Sequence, residues 1–148
     1  MNSMKTPDAD QIMKWLEGQR DGYALLLEIM EKQKVVVLEE DEGRLLYVIQ
    51  EKERVLGNLD EIDGKIQLKI KTLDNNQHDG LIKRSQSLRQ EIEFLLSQVL
   101  ILETFCENYL ENKKSSLRNK MKTTKQGRSV LKGYGSSSLQ RSRFSKNV

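Results

Sequence analysis

The chain has one cysteine, one proline and one histidine, only 5% aromatic residues and, after Glu111, no acidic residue at all. Each shortage removes a class of protein. A single cysteine, Cys106, rules out an internal disulfide and favours a reducing compartment. It is read as a small apolar residue on a helix face. With one histidine, His78, and no second cysteine there is no zinc set, no HExxH and no paired thiol. No glycine-rich loop runs into Lys-Ser/Thr. The stretch KGYGSSS (Lys132–Ser138) has no strand before it and no helix after it, so it does not read as a phosphate cradle. The expectation is a protein that is not an enzyme and that uses no cofactor and no metal.

Long apolar runs are missing too. The most apolar stretch, FLLSQVLIL (Phe94–Leu102), is about half a membrane span and lies between Glu93 and Glu103. The opening MNSMKTPDAD has no apolar segment of signal-peptide length, so a cytoplasmic location is expected.

What remains is charge and helical periodicity. Charged residues make up 32% of the chain, with 25 Lys and Arg against 22 Asp and Glu. All of the acids precede position 113, whereas 11 of the bases follow Asn112, so a net charge of +3 describes neither part. The reading is therefore an acidic body over 1–112 and a basic, mostly disordered or conditionally helical tail over 113–148. Beyond Gly127, glycine, serine and uncompensated charge offer too little apolar surface to order a chain.

Within the body three seams recur every three or four residues, the spacing of a helix and not of a strand. Thr6 as cap, Pro7 as first helical residue, and Asp8 and Asp10 in the first turn predict a helix over about 7–38. Its seam is Ile12, Leu16, Gln19, Tyr23, Leu26, Met30, Gln33 and Val37; the two glutamines are either buried seam residues or a frayed register. The acidic break EEDEG (Glu39–Gly43) offers Asp41 as cap for a second helix, about 42–73. That seam runs Leu45, Val48, Lys52, Val55, Leu59, Ile62, Ile66, Lys69 and Leu73, with Gly57 and Gly64 inside it. LDNNQHDG (Leu73–Gly80) reads as a turn, which leaves His78 solvated. A third helix is expected over about 81–112, with an extension to Met121 left open. Its seam is Leu81, Ser85, Leu88, Ile92, Leu95, Val99, Leu102, Cys106 and Tyr109, and it broadens over Leu95–Leu102.

Helices of about 30 residues, roughly 45 Å long, joined by short connections predict an all-α fold. The architecture expected is an antiparallel up-down-up bundle of three long helices with coiled-coil-like packing and a flexible basic C-terminal tail. Three roles are open to that tail. It can be a solubilising linker. It can bind nucleic acid or an anionic membrane surface, although two aromatics, no recognisable module and an acidic body argue against this. Or it can be a protein-binding segment in which sparse apolar residues anchor and the charges keep it soluble. The residues singled out for partner binding are Leu95, Val99, Leu102, Leu117, Met121, Val130, Leu131, Tyr134 and Phe144.

The acid-rich break and the stretch EEDEGRLLYVIQEKERVLGNLDEI (Glu39–Ile62), with Lys52 and Glu53 among Leu45, Leu46 and Leu59, resemble the FlgN/FliT-type flagellar export chaperones. The ending GRSVLKGYG with Arg143 and Phe144 is similar to tails in that family. The likeness covers nearly the whole chain; the basic ending departs from the acidic character of many secretion chaperones. The resemblance implies a cytoplasmic chaperone of flagellar type III export. Such a protein binds the helical C-terminal segment of a hook–filament junction or cap protein, prevents premature assembly and delivers it to the export gate or ATPase component. A homodimer stays open as a further association, and nucleic acid is not the expected partner.

Overall fold

A computed structural model describes residues 7–120, with side chains as far as Ser115. Thr6 therefore lies outside the described residues. These form three helices and no strand: α1 over Pro7–Glu39, α2 over Glu42–Ile70 and α3 over Asn75–Lys120.

The ends of the helices have local causes. Asp8 and Asp10 lie in the first turn of α1, where carboxylates favour the helix dipole. α1 stops because Glu40 takes a left-handed backbone conformation, φ 59°. That turn lets Glu40 N–H donate to Val37 O (3.2 Å) and Asp41 N–H to Val36 O (3.4 Å), the paired bonds that close a helix C-terminus. Asp41 then caps α2, its Oδ1 accepting from the Arg44 N–H at 3.1 Å and its backbone oxygen from the Leu45 N–H at 3.0 Å. The cap expected at Asp41 is present.

The second connection is shorter than expected. α2 ends at Ile70 rather than near Leu73, where Thr72 N–H donates to Lys69 O at 3.0 Å and Leu73 N–H to Ile70 O at 3.1 Å. α3 starts at Asn75, so most of the polar stretch assigned to a turn is helix. The reason is a capping box. Gln77 N–H donates to Asp74 Oδ1 at 2.8 Å while Asp74 N–H donates to Gln77 Oε1 at 3.0 Å, satisfying two donors reciprocally. His78 is exposed in the first turns of α3, its N–H bonded to Asp74 O. Gly57 and Gly64 both sit inside an unbroken α2.

The described residues fall into two compact units, each built from a segment of all three helices packed together. One contains the chain as far as Leu27 with Arg54–Ser97. Its core is Ile12, Leu16, Ile66, Leu81 and Leu88, with Trp15, Ile62 and Ile92 packed against it. α1 and α2 come so close in this unit that a methyl group on Gly22 would meet Leu59 Cδ2 at 2.7 Å. Exposed pairs trim the surface: Arg84–Asp10 at 2.7 Å, Lys69–Asp8 at 3.6 Å and Arg20–Glu91 at 3.8 Å. Each adds at most about 1 kcal/mol.

The other unit contains Glu28–Glu53 and, among the described residues, 98–120. Ile29, Met30, Val36, Val37, Leu45, Val48, Ile49, Val99, Cys106 and Leu110 are buried there. So are Gln33, Lys52 and Glu103, each fully inaccessible.

All eight residues of the first seam are buried, both glutamines included, so the polar positions are buried seam and not a frayed register. The third seam holds from Leu81 to Val99 and then shifts. The core continues through Glu103, Cys106 and Leu110, whereas Leu102 and Tyr109 are half-buried.

Candidate functional site

Apolar side chains left on the surface are the raw material of a binding face. In the unit containing the C-terminal part of α3, Ile101 is 61% exposed and Phe105 37%. They stand one helical turn apart, and Tyr109 continues the stripe one turn further, its ring stacked on Phe105 with centroids 6.4 Å apart. From α1, Lys34 Nζ lies 4.6 Å from the centre of the Phe105 ring, an arrangement worth about 0.5–1 kcal/mol where solvent reaches it. Leu38, one turn after Lys34 on α1, is 48% exposed. Ile101, Phe105, Tyr109, Lys34 and Leu38 thus form a mixed aromatic and aliphatic face along α1 and α3.

Polar groups edge one end of it. Glu40, in the tight turn after α1, accepts a hydrogen bond from the Tyr109 hydroxyl at 3.4 Å and forms an ion pair with Lys113. Lys113 Nζ also lies 5.8 Å from the centre of the Tyr109 ring. Apolar residues in the middle and exposed, mutually paired charges at the rim are how protein-binding faces are built.

The structure divides the residues singled out from the sequence. Val99 is completely buried and cannot contact a partner in this conformation: it lies in phase with Glu103 and Cys106 and points into the core. That expectation is corrected. Leu95 and Leu102 are half-buried. Leu117 belongs to α3, with its side chain outside the described residues, and Met121, Val130, Leu131, Tyr134 and Phe144 lie outside them altogether. Conversely, Ile101, Phe105 and Leu38 were not among those candidates. A sequence signal existed for two of them, because Ile101, Phe105 and Tyr109 at four-residue spacing trace a second stripe beside the seam.

Beneath this face lies the polar cluster. Lys52 Nζ stands 2.6 Å from Glu103 Oε2 and donates to Gln33 Oε1 at 3.2 Å. Burial, and after it the Glu103 carboxylate, pushes the Cys106 thiol up to about 11; the Gln33 amide, Lys52 and Lys34 act in the opposite sense. A thiol held protonated in this way is a packing group and not a nucleophile at neutral pH. Among the described residues no group of His, Cys, Asp and Glu is arranged to hold a metal ion. No helix there is long and apolar enough to cross a membrane.

Compared with protein-family models, with curated proteins and with solved structures, the chain matches none.

Proposed function

We propose that the protein is a non-enzymatic helical binding module that receives an amphipathic helix of another protein. Within that class, the particular reading is a cytoplasmic FlgN/FliT-type export chaperone. Its client is the helical C-terminal segment of a flagellar hook–filament junction or cap protein, and its destination the export gate. The three helices run up, down and up as an antiparallel bundle in this reading. One observation carries it: Ile101, Phe105 and Leu38 remain exposed beside a core that is already closed. An apolar stripe with four-residue spacing is what the apolar side of a second helix can lie along. The resemblance of Glu39–Ile62 and of the GRSVLKGYG motif near the end to that chaperone family supplies the identity of the client.

Calorimetric titration with the C-terminal segments of junction and cap proteins tests the reading. A complex tighter than about 10 μM, roughly −7 kcal/mol, with a negative heat-capacity change is expected. Ile101→Lys with Phe105→Ala should weaken it at least about thirtyfold while circular dichroism shows unchanged helix content. Raising salt from about 50 to 200 mM should change it little, whereas binding to phosphates through the basic ending would fall by orders of magnitude. Failure of every client segment to bind, together with nucleic-acid affinity that survives physiological salt, would replace this reading with the nucleic-acid one.

A further inference from the structure

Among the described residues the largest fully buried side chain is not a leucine or a phenylalanine but Lys52. It occupies a seam position of α2, four residues after Val48 and three before Val55, where an apolar side chain would pack without desolvating a charge. Its ammonium is met by one group from each of the other two helices: Glu103 Oε2 of α3 at 2.6 Å and Gln33 Oε1 of α1 at 3.2 Å. All three side chains are inaccessible to water. A pair of this kind recovers little more than the hydration its ions lose, and apolar residues of equal volume commonly serve stability as well or better. Stability therefore does not explain it.

The surrounding seams suggest what does. In this unit α2 presents Leu45, Val48 and Ile49, and α3 presents Val99, Cys106 and Leu110. Such seams repeat nearly on themselves after seven residues, so apolar contact alone discriminates poorly between one alignment of the helices and the next. The charges do discriminate. Sliding α3 by seven residues puts Leu96 or Leu110 where Glu103 belongs, and sliding α2 puts Leu45 or Leu59 where Lys52 belongs. Either slip leaves a bare ion in an apolar core, the most heavily penalised outcome available to it. A slip of α1 by seven also removes Gln33 Oε1 from Lys52. Of these alignments only the native one brings Gln33 Oε1 and Glu103 Oε2 to the Lys52 ammonium.

We propose that Gln33, Lys52 and Glu103 form a register lock, one residue from each helix, which selects a single alignment of this unit at the expense of stability. Cys106, one turn beyond Glu103 and the only cysteine in the chain, is a built-in reporter, because it reacts with a thiol reagent only when the unit opens or misaligns.

The experiment compares the full chain with Lys52→Met and with the triple variant Gln33→Leu, Lys52→Met and Glu103→Leu. Lys52→Met, which strands Glu103, should raise the Cys106 labelling rate about a hundredfold or more. The triple variant should unfold at the same or a higher urea concentration than the parent, yet show multiplied or broadened amide resonances and faster Cys106 labelling. If it instead gives one sharp set of resonances with parental Cys106 protection, the apolar seams align themselves and the proposal is wrong. If it unfolds outright, the charges serve stability and the proposal is equally wrong. Unchanged labelling in Lys52→Met would show that the pair constrains nothing.

Discussion

At the scale of single residues, Cys106 links burial to pH. In the folded protein its thiol keeps its proton up to about pH 11, against an ordinary value of 9.0, with burial as the larger cause and Glu103 as the second. Between those two values the unfolded chain has released the proton and the native state has not. The native state then binds more protons, and stability falls as pH rises through the window. The contribution is complete below about pH 9 and gone above about pH 11. At about 1.4 kcal/mol per unit, the loss over two units is on the order of 3 kcal/mol. Urea unfolding of the parent and of Cys106→Ala at pH 8.5, 9.5 and 10.5 isolates it, since every other titrating group is common to both. The stability of the parent should decline relative to the variant. Parallel curves would show that the thiol is not desolvated. Glu103, the neighbour that adds to this effect, is also the core residue hardest to find in the sequence. Ranked by hydropathy, Leu102 takes the seam position between Val99 and Cys106. Glu103 becomes a core residue only because Lys52, on another helix, needs a counter-ion, and one-dimensional periodicity does not contain that fact.

At the scale of elements, glycines that look alike in the sequence separate by environment. Gly57 and Gly64 lie on the exposed side of α2, and a methyl group added at either meets nothing. Changing each to alanine should stabilise the protein by up to about 1 kcal/mol, the difference in helix propensity. Gly22 is the opposite case. A methyl group there would stand 2.7 Å from Leu59 Cδ2 and 3.3 Å from its Cγ, and Leu59 is buried. The helix-propensity gain is outweighed by overpacking of about 1–3 kcal/mol, so Gly22→Ala should lose about 1 kcal/mol net. Thermal melts of the three variants check the signs, and a stabilising Gly22→Ala would mean that Leu59 moves aside freely. The helix ends show the same division between what is local and what is not. The cap at Asp41 was legible because it depends on neighbours in sequence. The start of α3 was misjudged although its cause is equally local: Asp74 followed three residues later by Gln77 is a capping pattern. The run of polar residues around it masked that pattern.

At the scale of the whole molecule, the all-helical character was legible because three long seams leave no other economical way to hide their apolar residues. The exposed apolar stripe was legible only as a region. Leu95–Leu102 was recognisable as too apolar for one seam, but which of its residues turn inward depends on neighbours contributed by α1 and α2. Val99 went inside and Ile101 outside for that reason. The same dependence has a consequence in time. Gln33 and Lys52 are 19 residues apart across the tight turn at Glu40, so the α1–α2 contact closes a short loop. Glu103 is much further along the chain, and each doubling of a loop adds about 0.6 kcal/mol to its closure. If that difference delays the docking of α3, the ammonium of Lys52 stays hydrated until then and the carboxylate meets it after the main barrier. Glu103→Gln should accordingly steepen the loss of native protein, raising the unfolding rate in a stopped-flow chevron by roughly the whole change in stability while the refolding rate stays within about twofold of the parent. A matching drop in refolding rate would place the pair in the folding nucleus instead. On this account, removing one partner of the pair leaves the rate of folding nearly unchanged and shortens the life of the native state, because the charge left behind has no partner.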